Sequence, residues 1–415
     1  MFKKFFSVPF TRNIILLSAI SFFTDISSEM LYPIFPLYFQ SIGYSVLMIG
    51  FLEGVAEVVS GTFKSLIGYY SDKLHKKNIF ITLGYGISAL AKPVIGLTQN
   101  FYGVTGARLA DRLGKGIRTT PRDAILTEES ALESRGVVFG FHRAMDTLGA
   151  SIGPVITLAL LYFFTTDYKN IFVYSLIPGI IALCLTFMLR KEKKREVVVE
   201  GEKKSLSFGV RNFIKSSTPA YRKLIVGLLF IAILNSTDMF LLLRAKQLGL
   251  SDVTLIIVYI FYNLIFAIAA IPVGNLSDKI GFKKVFMVGI LLVSFVYGVL
   301  GYGVTGIVPL FFVFAVYGVF AAIKEGVAKA WVSLHITQEY MGTGLGVYFT
   351  LTSFAFLIGN LITGLMWQQY GPEVAFMFIS LFSLGVLLYF SRLQIAHQAE
   401  IDENKLGNLG CNSGH

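Results

Sequence analysis

Between Tyr102 and Leu126 six charged side chains, Arg108, Asp111, Arg112, Lys115, Arg118 and Arg122, recur mostly at spacings of three and four, and long apolar runs flank them on both sides. On a helix those spacings place all six on one face. Across a bilayer each buried charge costs about 3 kcal/mol or more, so residues kept there line a wet pathway or pair with one another. The stripe marks a polar route through a membrane protein.

The composition points the same way. Of 415 residues 54% are hydrophobic and 15% charged, where an ordinary soluble domain carries about 25% charged residues. Much of the net charge of +11 sits in short segments between apolar runs and in the stretch from Arg190 to Lys223. That placement addresses anionic lipid and membrane orientation, and no groove-reading motif for nucleic acid accompanies it. Cys184 and Cys411 give neither a disulfide framework nor a metal spacing, so no metal or cofactor is expected. Met1 to Pro9 carries lysines but leads into a stretch with Asp25 and Glu29 and no small-residue cleavage pattern, which reads as a retained first span.

A bilayer core of about 30 Å needs roughly 20 helical residues. Twelve stretches qualify, at 13–39, 46–70, 79–98, 102–122, 137–164, 170–189, 222–244, 253–275, 284–303, 307–332, 342–367 and 374–391. The expected division is an amino-terminal six-helix half over 1–189, a basic cytoplasmic linker over 190–220, a carboxy-terminal half over 221–391 and a disordered cytoplasmic tail over 392–415. Lysine and arginine concentrate in the segments that would be inside if the amino terminus is inside, which puts both termini in the cytoplasm of a bacterial inner membrane.

The halves echo one another. After the second span comes Gly68-Tyr69-Tyr70-Ser71-Asp72-Lys73-Leu74-His75-Lys76-Lys77, and after the eighth comes Gly274-Asn275-Leu276-Ser277-Asp278-Lys279-Ile280-Gly281-Phe282-Lys283-Lys284. A repeat in register implies two halves related about an axis normal to the membrane, with a substrate site between them. The paired pattern resembles the loop motif of the major facilitator superfamily, although His75 and Phe282 depart from it. The resemblance implies an all-α fold of twelve transmembrane helices in two pseudo-symmetric halves, with Gly68, Asp72, Lys73, Arg118, Gly274, Asp278 and Lys279 as gating residues. Asp72 is then expected near the start of the eleventh span and Arg118. In the fifth span, Gly140, Gly149, Gly153 and Pro154 are similar to the signature of proton-coupled exporters of that superfamily, with Thr157 and Leu158 in place of its closing glycines. Helix packing through Gly149, Gly153 and Pro154 explains the pattern equally well. Segments such as Asp25-Ile26-Ser27-Ser28-Glu29-Met30 and His142-Arg143-Ala144-Met145-Asp146 look like those of a large bacterial branch often labelled only as transporters of unsettled substrate.

In that fold the first, fourth, seventh and tenth spans line a central cavity. Asp25 and Glu29 share a face with Ser21, Ser28 and Tyr32, and a carboxylate shielded from bulk water can exchange a proton during a cycle. A permanent ion pair with Arg108 or Arg112 is the other reading, and Glu53 and Glu57 are further proton-coupling candidates, or partners of Lys92. Arg108, Asp111, Arg112, Lys115, Asp238, Lys324 and Glu325 are the substrate-binding candidates, Arg112 first because its forked donors suit an anionic group. Glu325 and Lys329, four apart, are expected to pair, leaving Lys324 for substrate. The expected protein is a proton-coupled secondary transporter, not an enzyme, exporting a polar organic compound by antiport. It would act as a monomer whose partners are substrate, protons and lipid. Proton symport of an organic acid or siderophore-like anion is the alternative; a transport-dead receptor or intramembrane enzyme is the rival of another class.

Overall fold

The computed structural model describes residues 10–74, 76–130, 135–164, 167–190, 213–336 and 341–393. Each apolar run becomes one helical crossing. The first span is Arg12–Glu29 with Phe35–Ser41; the second to fifth are Val46–Leu74, Lys77–Leu97, Phe101–Glu128 and Arg135–Phe163; the sixth is Tyr168–Tyr174 with Leu176–Thr186. The seventh is Pro219–Leu234 with Asp238–Gln247, followed by Asp252–Ile280, Phe282–Tyr302, Ile307–Leu334, Met341–Tyr370 and Pro372–Arg392. Ten of these crossings are long and apolar enough to span a membrane outright. The other two, the first and the fourth, carry Asp25, Glu29 and the charged stripe. Twelve crossings in two halves are the major facilitator architecture, and the charge sits in the crossings that are least apolar.

The sixth crossing only kinks at Ser175, whereas the first and seventh are broken at corresponding places in the halves. In the first, Pro33 and Pro36 cannot donate backbone hydrogen bonds, and the chain turns between Glu29 and Phe35 before Pro36 starts the second segment. In the seventh, Leu234 and Asp238 flank a break whose freed Thr237 N–H donates to Asn360 Oδ1 of the eleventh span at 2.8 Å. Non-helical backbone inside a membrane persists only where protein groups satisfy it, as Asn360 does here. The tenth crossing holds a π-turn over Ile323–Val327.

Glycines set the closest packing. A Cβ on Gly153 would meet Ile26 O and Met30 N of the first span at 2.8 Å, and Gly149 lies against Phe22 and Asp25 in the same way, so the fifth span seats the first backbone to backbone. Gly84 and Gly114 join the third and fourth spans similarly, a Cβ on Gly84 meeting Gly114 O at 2.6 Å. Between the halves, Gly50 packs on Phe240 and Asn360, Gly54 on Leu357 and Gly364 on Leu47, which closes the face opposite the chain termini. On the terminal face, positions Gly140 of the fifth span and Gly274 of the eighth have nothing within 4 Å. Among the described glycines, those that pack across the halves lie from mid-crossing to the far side, so the far side is the closed one and the terminal side the more open.

The repeated motif lies on helix rather than in loops. The second span continues to Leu74 and the eighth to Ile280, past the expected ends at 70 and 275, and Gly281 with φ of 94° stops the latter. Gly274 and Lys279 are in the last turns of the eighth span. The side chains of Gly68, Asp72, Lys73 and Asp278 lie outside the described residues, as do most of the expected linker and all but the start of the expected tail.

Candidate functional site

Because the fourth span packs directly on the third and second, most of its stripe turns into the amino-terminal half. Arg108 donates through Nε and Nη2 to the two carboxylate oxygens of Glu53 at 2.7 and 2.9 Å, and through Nη1 to Asp111 at 3.2 Å. Asp111 also accepts from Ser88 Oγ at 2.5 Å and faces Lys92 Nζ at 3.8 Å. The guanidinium of Arg108 lies 4.2 Å over the ring of Phe35. Glu53, Lys92, Arg108 and Asp111 are all buried. Two acids and two bases that satisfy one another in this way form a fixed network rather than open ligands. The sequence-level pairing of Asp25 or Glu29 with Arg108 is therefore replaced by Glu53, and Lys92 takes Asp111 rather than Glu53 or Glu57. Arg112 reaches the edge of the network, its Nη2 at 3.6 Å from Glu53.

A second cluster sits at the two helix breaks. Glu29, at the end of the first segment of span one, accepts from Tyr259 Oη of the eighth span at 2.7 Å, and Tyr32 stacks on that ring with centroids 5.4 Å apart. Asp238, at the start of the second segment of span seven, accepts from Tyr317 Oη at 2.5 Å and Tyr262 Oη at 3.2 Å. Interrupted helices in corresponding positions of the two halves point to the substrate site of a repeat-built transporter, and here each break carries one carboxylate. The Glu29–Tyr259 bond ties the halves together on the closed side.

Toward the open side, charged groups stay accessible and face one another across the halves. Lys115 and Arg143 are exposed and lie within Coulombic reach of Glu325, whose side chain is 62% exposed. Asp25 lies among Glu29, Asp146, Lys115 and Arg118 without a hydrogen bond or ion pair of its own among the described residues. Glu57 is part-exposed on the second span. Arg118 is buried with its guanidinium 4.5 Å over the ring of Tyr85.

The tenth span corrects the expected pairing. Lys324 Nζ lies 3.5 Å from Glu325, while Lys329 sits 5.8 Å above the ring of Phe349. The π-turn adds a residue to that turn, so Glu325 and Lys329 no longer stack as an i,i+4 pair, and Lys324 is not free. Arg143 and Asp146 do not reach the fourth-span stripe as ion-pair partners. Arg143 leans on Phe266 of the other half, its guanidinium 6.0 Å from the ring centre, and Asp146 lies 3.7 Å from His142. The site residues that sequence reasoning missed are Tyr259, Tyr262 and Tyr317. Tyrosine is ordinarily enriched at the membrane interface, and three of them in mid-crossing were the available signal.

A family model described as Major Facilitator Superfamily matches residues 17–266 and 239–407. An uncharacterized MFS-type transporter of Methanocaldococcus jannaschii is 34% identical over 392 residues, 92% of this chain and 95% of that one. Among solved structures, a variant of the nucleoside transporter NupG aligns with a TM-score of 0.78 at 14% identity, covering 92% of this chain and 99% of that one. A D-xylose-proton symporter aligns with a TM-score of 0.71 at 14% identity, covering 91% and 96%.

Proposed function

This chain belongs to the major facilitator superfamily, and we propose that it is a proton-coupled secondary transporter that exports a polar organic compound by antiport. The two halves rock about the paired helix breaks, alternately opening the site between them. The observation that carries the coupling is Asp25, a carboxylate on a site-lining crossing with no hydrogen bond or ion pair to hold it, unlike Glu53 and Asp111. A carboxylate left in that position is free to gain and lose a proton as the surroundings alternate. Its neighbour Glu29 is bonded across the halves by Tyr259, which makes protonation there felt by the gate.

Export is favoured by the fifth-span pattern, whose Gly149 and Gly153 seat the backbone on either side of Asp25 and Glu29. Movement of the fifth span is thereby coupled to the carboxylates. With the basic segments inside, the terminal face is cytoplasmic, the membrane is the plasma membrane, and the protein works as a monomer. The solved neighbours carry cargo as different as nucleosides and a pentose, so the fold does not choose the substrate and the site must. Arg112 and Lys115 favour the second reading, proton symport of an organic anion.

Reconstituted vesicles with and without an imposed pH difference test the proposal. Wild-type protein should move its substrate against a gradient only when the pH difference is present, in the direction opposite to the protons. Asp25→Asn should lose that accumulation and keep substrate-for-substrate exchange, because exchange cycles no proton. Equal accumulation by wild type and Asp25→Asn refutes the assignment; movement with the protons selects symport.

A further inference from the structure

Four phenol rings run from one helix break to the other. Tyr32 stacks on Tyr259 at 5.4 Å, Tyr259 meets Tyr262 at 5.8 Å, and Tyr262 meets Tyr317 at 5.4 Å between centroids. They make one aromatic wall contributed by both halves. Tyr259 and Tyr317 are buried, while Glu29 and Asp238 beside them keep part of their surface accessible.

The carboxylates on this wall are hydrogen-bonded but have no cation beside them. Glu29 takes one phenol O–H and Asp238 takes two, and among the described residues no lysine or arginine nitrogen lies within 4.0 Å of either. A neutral phenol satisfies a lone pair and brings no positive charge. The cations that act on Glu29 from a distance are Lys115 and Arg112 of the fourth span, and Arg112 is already engaged by Glu53. Asn235, at the same break as Asp238, holds its Oδ1 buried with no hydrogen-bond partner. Two uncompensated carboxylates, a free amide oxygen and a run of ring faces call for a positive ligand.

We infer that this wall is a binding site for an organic ammonium cation, with Glu29 and Asp238 as its counter-charges. The inference rests on the transporter reading above and names the chemistry of its substrate. A ring face attracts a cation through its quadrupole, and weakly hydrated alkylammonium groups are the ligands such aromatic enclosures take. Calcium or magnesium takes six or more oxygen ligands, and the ring faces of the wall supply none, while the hydroxyls of Tyr259, Tyr262 and Tyr317 already donate to the carboxylates. The fixed network around Arg108 leaves this wall as the place where a substrate charge is still unmatched.

Calorimetry on the purified full-length chain tests it with choline and benzyltrimethylammonium as probes. The control is the uncharged carbon isostere of choline, in which a tert-butyl group replaces the trimethylammonium. Both cations should bind, and the isostere should bind about tenfold more weakly or not at all. Asp238→Asn should weaken choline by about tenfold. Tyr32→Leu should weaken it by several-fold, about the value of one cation–ring contact, and Tyr32→Phe, which keeps the ring, should not. Equal binding of choline and its isostere, absence of binding by both cations, or an Asp238→Asn protein that binds as wild type overturns the inference. Proton-driven transport in vesicles is read separately, so a chain that transports its substrate without binding ammonium loses the cation site and keeps the transporter reading.

Discussion

Glu53 and Asp238 are both acids inside membrane crossings, and their surroundings differ in kind. Glu53 is gripped by both donor edges of Arg108 and approached by Arg112; Asp238 is held by two phenols and no cation. The first arrangement cancels charge and uses up every strong donor, so nothing in it is left to respond to a ligand or a proton. The second satisfies its oxygens with no cation beside it. The chain thus places a finished ion network in the amino-terminal half and an unfinished one where the halves meet. The difference teaches that a charged stripe in a crossing is not by itself the substrate route. Arg108 and Asp111 are bound up within their own half, and the carboxylates without cations lie where the halves meet.

The hardest way to break the comparison is to unfinish the finished network. Arg108→Ala leaves Glu53 and Asp111 buried without their main partner, and removing one member of such a network costs about 3 to 5 kcal/mol. The purified protein should melt far below wild type or fail to accumulate in the membrane. Pairing Arg108→Met with Glu53→Gln, which removes both charges, should recover much of the loss. A single Arg108→Ala protein that melts as wild type means the network is not a fixed framework.

A smaller effect of a different kind is expected from Tyr259→Phe. The phenol donates to Glu29 across the halves in this form, whose far face is closed, and a hydrogen bond to a charged group contributes about 1.5 to 3 kcal/mol. Global stability should hardly change, while the balance between states shifts by roughly tenfold or more toward the form open on the far face. A cysteine at Leu47, which packs against Gly364 on that face, reports the shift in a background lacking Cys184 and Cys411. Membrane-impermeant thiol reagents should label it faster from the far side in Tyr259→Phe. Unchanged labelling removes Tyr259 from the gate.

The twelve crossings were legible because run length against bilayer thickness is a one-dimensional property. The identity of each charge's partner was not, because periodicity says which residues share a face and nothing about which helix that face meets. Arg108 was visible as a membrane-buried arginine, but its partner on the second span depends on Gly84 and Gly114 bringing the third and fourth spans together so that the stripe turns inward. The breaks after Glu29 and before Asp238 lay within single expected spans, 13–39 and 222–244. Pro33 and Pro36 signalled the first; the second depends on Asn360, far along the chain, accepting the Thr237 N–H. Nothing in the sequence tied Tyr259, Tyr262 and Tyr317 to the carboxylates that their hydroxyls meet.

The smallest effect sharpens the comparison from its weak end. Lys324 and Glu325 are adjacent in sequence, so on a regular helix they point about 100° apart and make a poor pair. The π-turn brings them to 3.5 Å, yet the Glu325 side chain stays 62% exposed. An accessible pair of this kind contributes about 0 to 1 kcal/mol and is screened by salt. Lys324→Gln should therefore shift the melting temperature only slightly, with the difference fading as ionic strength rises. Lys329→Gln, which by sequence spacing alone would have broken the pair, should leave Glu325 as it is. A Lys324→Gln protein destabilised as severely as Arg108→Ala would place the tenth-span pair in the fixed framework and remove the distinction between finished and unfinished charge on that side of the site.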